Sequence, residues 1–326
     1  MATTTPVYQK YSNLQPTTVL LSEIEKTPYP LAERVKDGLE SIQNIFLFAF
    51  FRGLGNFVDT GVCTYRYFSG RLMDLSKNKN LILLNDQTVN VVRQKGLISA
   101  DERGQKLTRN LEHLFQLASN PGIKISKIPI RIYIDVSPKS SCCRNKVLEM
   151  TPAVILPLST MTKNTNEVRD YLAAQAVAEK QVRSHVIHLV HHWFFTALNC
   201  GLLTLAIRRT ISIRQALPIS VGLNLACAFF DRWNERRTTR SANRLALTYL
   251  NTATGMIAHL RHNLCANMAV KQGTFEEYSA LYQNPKQRKY EKLKADITPH
   301  GNYRSCIHDS FTDQLKFALS LQPTQT

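Results

Sequence analysis

Four histidines cluster at the start of an apolar segment. They have the pattern H-x-x-H-x-x-H-H, at His185, His188, His191 and His192. In a helix, His188 and His192 lie one turn apart on the same face, close enough to bind one metal ion. The five other histidines form no His-x-x-x-His box that would complete a larger metal centre. The pattern therefore favours histidines that line an interface or pocket over a metal site.

Cysteine is the second residue type with reactive chemistry. The adjacent pair Cys142 and Cys143 has Lys139 and Arg144 nearby, whose charges favour the thiolate form, but a plain surface loop is the better interpretation. An odd number of cysteines scattered along the chain is unlike the disulfide framework of a secreted protein, so we expect a reducing, intracellular compartment. The seven positions are Cys63, Cys142, Cys143, Cys200, Cys227, Cys265 and Cys306.

The charge balance points to a polyanionic partner. Lysine and arginine outnumber acidic residues 41 to 24, and the net charge is +17. Such a surface attracts nucleic acid or anionic lipid. The chain has no zinc-finger spacing, ribonucleoprotein strand or arginine-rich tract, so we predict no specific nucleic-acid partner. The basic run 286–294 is typical of a solvated helix face.

The elements that would position these residues follow from periodicity. Residues 1–26 resemble a mobile arm, and an amphipathic helix is predicted from Leu31, after Pro28 and Pro30. A second helix carries the apolar positions from Leu107 to Ala118. Ile130–Val136 alternates apolar and polar residues like a half-buried strand, and Ala153–Leu156 is a second short strand. An alanine-rich helix follows Asn164.

Two apolar runs then resemble a helical hairpin. Val186–Ile207 would reach about 33 Å as a helix, enough to cross a bilayer, and it ends at Arg208 and Arg209. The second run, Ala216–Phe230, is short and contains Pro218. We favour membrane insertion, with a buried soluble hairpin as the alternative. A closing helix is predicted from Arg244 to His262.

The order of these pieces resembles the HtpX and CAAX prenyl protease family of membrane metallopeptidases, the M-forty-eight peptidases. In that family a helix with His-Glu-x-x-His supplies two zinc ligands, and its glutamate polarises the attacking water. A later helix that opens with Glu-x-x-Ala-Asp supplies the third ligand. Here Ala176-Val-Ala-Glu-Lys-Gln-Val-Arg-Ser-His185 is similar to the first motif, and Thr239-Arg-Ser-Ala-Asn243 aligns with the second. The resemblance spans roughly residues 120–305.

The chain departs from this family at the site itself. The two ligand positions of the first motif hold Val177 and Gln181, and the catalytic position holds Ala178. The third ligand position holds Thr239, and the aspartate position holds Asn243. Valine, alanine and threonine offer no strong zinc ligand, and glutamine is a poor one. We therefore expect no metal, no cofactor and no catalysis through bound zinc.

Together these inferences predict an α+β, mainly helical protein with a zincin-like metallopeptidase fold, a small sheet and an apolar helical hairpin. The predicted domains are an arm at 1–26, a helical region at 27–119, a metallopeptidase-like domain at 120–305 and a tail at 306–326. The favoured function is a membrane-associated pseudopeptidase that binds protein or acts as a scaffold. The alternatives are a metalloendopeptidase with relocated ligands, at His185, His188 and His192, and a basic membrane-surface adaptor.

The resemblance also implies a binding surface. Family peptidases receive an extended substrate by strand addition beside the strand that precedes the metal helix, and main-chain pairing does not need zinc. That strand consists here of Ala153, Val154, Ile155 and Leu156. We expect an extended protein segment to pair there, and the 1–26 arm is a candidate cover for the edge.

Overall fold

The computed structural model describes residues 6–35, 39, 79–85, 87–94, 102–119, 131–136, 153–158, 160, 164–182, 185–281, 286–304 and 309–321. The cysteine pair Cys142–Cys143 lies outside these residues.

Helices dominate the described chain, and a three-stranded sheet accompanies them. The α+β, mainly helical class is therefore confirmed. The helices are α1 Pro6–Ser12, α2 Thr17–Lys26, α3 Thr88–Gln94, α4 Glu102–Ser119, α5 Asn166–Val182, α6 His185–Ile207, α7 Ile213–Leu250, α8 Thr254–Gln272, α9 Phe275–Leu281, α10 Gln287–Asp296 and α11 Phe311–Ser320. The strands are β1 Leu81–Leu83, β2 Arg131–Asp135 and β3 Ala153–Pro157. Residues 31–35 are also helical, as predicted after Pro30.

The chain divides into two compact units, each made of separated segments. Unit 1 consists of Met1–Phe48, Ala228–Arg236 and Met256–Thr326, and unit 2 of Ala49–Cys227 and Arg237–Gly255. The consecutive domains predicted from the sequence stay a prediction.

The sheet of unit 2 has the order β1-β2-β3. β2 pairs antiparallel with β1 and parallel with β3, with Ile134 opposite Ile82 and Leu156. The helix that follows β3 in the chain, α5, packs on this sheet. Both predicted strands are confirmed, but β2 is central, so Tyr133 on its second face is buried as well. The expectation of a half-buried strand at this position is wrong.

One face of the sheet carries the core of unit 2. The apolar residues of β2 and β3 on this face pack with side chains from α3, α4 and α5. Helix α4 confirms the helix predicted around Leu107–Ala118. Helix α5 contributes Ala173, Ala176 and Val177 to this cluster. Since all three are small, the helix axis can approach the sheet closely.

Helices α6 and α7 form the predicted hairpin. Residues 208–212 connect them, and the Ser220 hydroxyl donates to Asn199 Oδ1 at 2.7 Å, which brings the two helices together. The second helix extends well beyond the apolar run Ala216–Phe230, because α7 continues as one helix to Leu250. It stops at Asn251, which adopts a left-handed conformation with φ of 54°. This turn also divides the closing helix that was predicted from Arg244 to His262.

In unit 1 the N-terminal segment is folded against α8. Tyr11 is buried and its hydroxyl donates to Gln272 Oε1 at 2.8 Å. Arg261 donates to the carbonyl oxygens of Ser12 and Leu14, at 2.7 and 2.6 Å. The expectation of a mobile arm is therefore wrong for residues 6–26. Leu20, Leu21 and Ile24 supply the apolar face that a free arm would lack.

The half-buried His259 makes unit 1 sensitive to acid. Its partial burial, together with the smaller effect of the neighbouring His262, lowers the pKa of His259 from 6.5 to about 4. The Asn263 amide nitrogen lies 3.0 Å from His259 Nε2, a contact that suits a neutral, accepting ring. Folding therefore keeps this imidazole uncharged.

We expect the free energy of unfolding to fall as the pH drops from 6.5 to 4. Over that range the unfolded chain binds a proton at His259 and the folded chain does not, so the loss approaches roughly 3 kcal/mol. Urea titrations at several pH values measure the slope. His259→Gln should remove this contribution, and an unchanged slope in the variant would contradict the assignment.

Candidate functional site: the seam between α5 and α7

The candidate site is the seam between α5, which follows β3, and the part of α7 after residue 236. Four alanines form its floor: Ala174 and Ala178 of α5 cluster with Ala242 and Ala246 of α7. Their short side chains let the two backbones approach closely, as at other small-residue helix contacts. The helix with Val177–Gln181 therefore packs against the helix with Thr239–Asn243, within unit 2 and beside the sheet.

Asn243 is the polar centre of this seam. It is 2% exposed, and its Oδ1 accepts hydrogen bonds from the Tyr171 hydroxyl at 3.2 Å and from Gln175 Nε2 at 3.0 Å. Burial raises the pKa of the Tyr171 phenol far above its usual value, so this hydroxyl stays protonated and donates. An aspartate at 243 would bring a buried charge, whereas the amide meets two donors without one.

Gln181 is engaged with the other side of the seam. The Tyr249 hydroxyl of α7 donates to its Oε1. The amide oxygen, which is the weak metal donor at this position, is thus already an acceptor for a neighbouring tyrosine.

The remaining predicted positions have different surroundings. Val177 is 5% exposed and packs into the sheet cluster, and Ala178 is fully buried among the seam alanines. Thr239 is half-buried. The structure brings Asn243 to Tyr171 and Gln175, and Gln181 to Tyr249.

This donor set does not fit zinc. A catalytic zinc site needs three nitrogen, sulfur or carboxylate ligands and an open position, whereas the three predicted ligand positions hold a valine, an engaged glutamine amide and a threonine hydroxyl. Elsewhere in the described residues, no three His, Cys, Asp or Glu side chains lie together as a metal site. The side chains of His185, His188, His191 and His192 lie outside what the structure describes.

The chain purified without a histidine tag should therefore contain well under one zinc per molecule. The physical reason is the lack of strong donors at the seam. Elemental analysis after dialysis against zinc-containing buffer measures this. Stoichiometric zinc that is lost on His188→Ala would contradict the expectation and favour the relocated-ligand alternative.

The predicted strand-addition surface is almost closed. β3 is the outer strand of the described sheet, but Val154, Ile155 and Leu156 are 1%, 5% and 0% exposed. Ile155 packs with Tyr133 on the second face of the sheet. The N-terminal arm contacts α8 in unit 1, as described above.

The second candidate surface is the outside of the hairpin. Helix α7 is long and apolar enough to cross a membrane by length and composition, and only 11% of its most apolar 18-residue window is buried. The described apolar part of α6, Phe194–Ile207, is shorter. The exposed large apolar residues of the two helices are Phe194, Leu198, Leu203, Leu205, Ile207, Ile213, Leu217, Ile219, Val221, Phe229, Phe230 and Trp233.

The sequence analysis missed the polar contact that joins the hairpin. The Asn224 amide donates to the Ser220 carbonyl oxygen at 2.8 Å, and Ser220 in turn bonds to Asn199. The sequence did contain a signal for this contact. Polar residues inside two apolar runs need hydrogen-bond partners, and on adjacent helices they can bond to each other. Nothing comparable in the sequence indicated that Tyr171 and Gln175 contribute to the seam.

No protein-family model, curated protein or solved structure matches this chain.

Proposed function

We propose that this chain is a membrane-anchored pseudopeptidase: a peptidase-like helix pair that lacks metal donors, held at a bilayer by the α6–α7 hairpin, and acting by binding. The observation that carries the proposal is the exposed apolar surface of the hairpin. The alternative of a basic surface adaptor differs in having no inserted segment.

The hairpin surface suits lipid better than water. The helices pair two half-buried polar side chains with each other, Asn199 and Ser220, and turn large apolar side chains outward. A hairpin in a soluble core would bury those side chains, and a monomer in water rarely leaves such a patch open. In a bilayer the same arrangement satisfies the polar groups internally and removes the apolar surface from water.

The seam supports the non-catalytic part of the proposal. Its order in the chain, after a parallel strand pair and across an apolar hairpin, supports the zincin-like fold that the resemblance implies. Ala178 stands where the resemblance expects the glutamate that polarises water, and it is buried with no room for a substrate carbonyl. With alanine at this position the seam lacks the glutamate that the resemblance expects as the base, which favours binding over catalysis.

Alkaline carbonate extraction of membranes that contain the full chain tests the anchor. Retention in the membrane pellet supports an inserted hairpin, because carbonate releases proteins held only by charge. Release into the supernatant, together with salt-sensitive binding to anionic vesicles, would instead support the adaptor.

Partner binding is tested at β3. An extended protein segment that pairs with the outer edge of this strand would need the Ile155 region, and it must displace whatever covers those buried residues. Ile155→Pro removes one main-chain donor and should reduce the yield of crosslinked partners. Far-ultraviolet circular dichroism checks that the helices persist. Capture of the same partners by the variant, with its helices intact, would move binding to another face.

A further inference from the structure

Three arginines lie at the tip of the hairpin. Arg208 and Arg209 directly follow helix α6, and Arg214 lies in the first turn of α7; all three are exposed. The apolar side chains Ile207 and Ile213, 72% and 74% exposed, flank them. The tip thus places concentrated positive charge at the end of an otherwise apolar surface.

The backbone of the tip is held in a defined turn. The Thr210 amide donates to the Leu205 carbonyl oxygen and the Arg209 amide to that of Ala206, each at 3.0 Å, which is the hydrogen-bond pattern of a Schellman motif. Arg209 takes the left-handed position, with φ of 56°, that usually holds glycine.

A capping box starts the second helix. The Ser212 hydroxyl accepts from the Gln215 amide at 3.2 Å, and the Ser212 amide donates to Gln215 Oε1 at 3.1 Å. These paired contacts fix the direction in which α7 leaves the turn. The arginines are consequently presented by ordered backbone rather than by a loose loop.

The far end of the apolar part of α7 is marked by aromatic residues. Phe230 and Trp233 have ring centroids 5.9 Å apart, and Trp233 is 55% exposed. Tryptophan is enriched where a membrane protein meets the lipid headgroups. Along one helix, Ile213 to Trp233 covers about 30 Å, which is about the thickness of a bilayer hydrocarbon core.

We propose that the hairpin tip binds the phosphate groups of anionic lipids in the leaflet opposite to the one that holds Trp233. This proposal rests on the proposed membrane anchor. Guanidinium groups pair with phosphate oxygens through two parallel hydrogen bonds, and three of them at one turn match a surface of anionic headgroups. With the tip at headgroup depth, the charged side chains avoid the hydrocarbon, which a hairpin ending inside the core would not allow.

Flotation with vesicles tests the lipid preference. The full chain, diluted from detergent, is mixed with vesicles of phosphatidylcholine alone or with about 30% phosphatidylglycerol. The measured quantity is the ratio of binding to anionic vesicles over binding to phosphatidylcholine vesicles. In the triple variant R208Q/R209Q/R214Q this ratio should be on the order of 100-fold lower than in the unaltered chain. The matched control is K286Q/R288Q/K289Q, which removes the same charge from exposed positions at the start of α10 and should lose far less.

Trypsin added outside sealed vesicles tests the leaflet. Cleavage after Arg208 or Arg209 should occur only once the vesicles are opened with detergent. Cleavage in sealed vesicles would overturn the proposal, and so would an equal loss of lipid preference in the tip variant and the α10 control. If carbonate strips the unaltered chain from both kinds of vesicle, the anchor itself fails. If the chain stays inserted but the tip variant keeps its anionic preference, only this further inference fails.

Discussion

Arginine at both Leu198 and Val221 should release the chain from carbonate-washed membranes. Both side chains are exposed, at 37% and 42%, and they lie near the middle of the two apolar helices. An arginine at the centre of a spanning helix costs about 3 kcal/mol, so the pair costs roughly 6 kcal/mol. That penalty is large enough to reverse insertion.

The matched control places the same two charges outside the hairpin. Leu31 and Val35 are 75% and 54% exposed on the helical segment 31–35. Arginine at both should leave the chain in the membrane pellet. The anchor would have to be sought elsewhere if the hairpin variant were retained as fully as this control.

Gly255→Ala should destabilise the folded chain by about 3 kcal/mol, because the new methyl group has no space. A Cβ at this glycine would overlap the Glu167 carbonyl oxygen and lie 2.7 Å from its carbon and 2.9 Å from Tyr171 Cβ. The obstacle is mainly the backbone of α5, which cannot rotate away. Tyr171, which bonds to Asn243 in the seam, would be displaced together with this backbone.

Gly222→Ala is the control for this substitution. Nothing lies within 4 Å of a Cβ at Gly222, which is also helical. Alanine there should be neutral or stabilise the helix by up to about 1 kcal/mol. Chemical unfolding in detergent, followed by circular dichroism, compares the two variants. Equal stability of both would mean that the first turn of α8 does not approach α5 as described.

Much of the fold was predictable because the local signals were strong. The alternation of β2 and the apolar positions of α4 fix those elements without tertiary information. β1 was missed because three residues, Leu81–Leu83, are too few to show a period. The apolar run Ala216–Phe230 did not indicate the full length of α7, because the charged pair after it does not end a helix that has neither glycine nor a capping residue there. The helix ends at Asn251 because this residue adopts a left-handed conformation. Most asparagines do not adopt it, so the residue type alone does not predict the end of the helix.

The N-terminal segment shows a case in which composition was misleading. Its polar composition indicated an arm, yet Tyr11, Leu20 and Ile24 are buried against other parts of unit 1. A few apolar side chains suffice when a partner surface exists, and a single sequence does not reveal that surface.

The candidate site was predictable in its order but not in its contacts. The chain order of the motifs suggested that α5 meets α7, and the alanines of both helices allow the approach. Which side chains meet depends on the rotation of each helix about its axis. That rotation turns Val177 toward the sheet and gives Asn243 to Tyr171 and Gln175, and it is set by packing over both helices rather than by the motif.

The membrane anchor is tested most directly by measuring the environment of the hairpin surface in a bilayer. Nitroxide labels at positions 203 and 217, in a full chain whose native cysteines have been replaced, report collisions with oxygen, which dissolves in lipid, and with a nickel chelate, which stays in water. We expect frequent collisions with oxygen and few with nickel at both positions, because Leu203 and Leu217 are 58% and 64% exposed on the apolar surface. Frequent nickel collisions would place the hairpin in water, and rare collisions with both reagents would place it in a protein core; either result would contradict the membrane anchor.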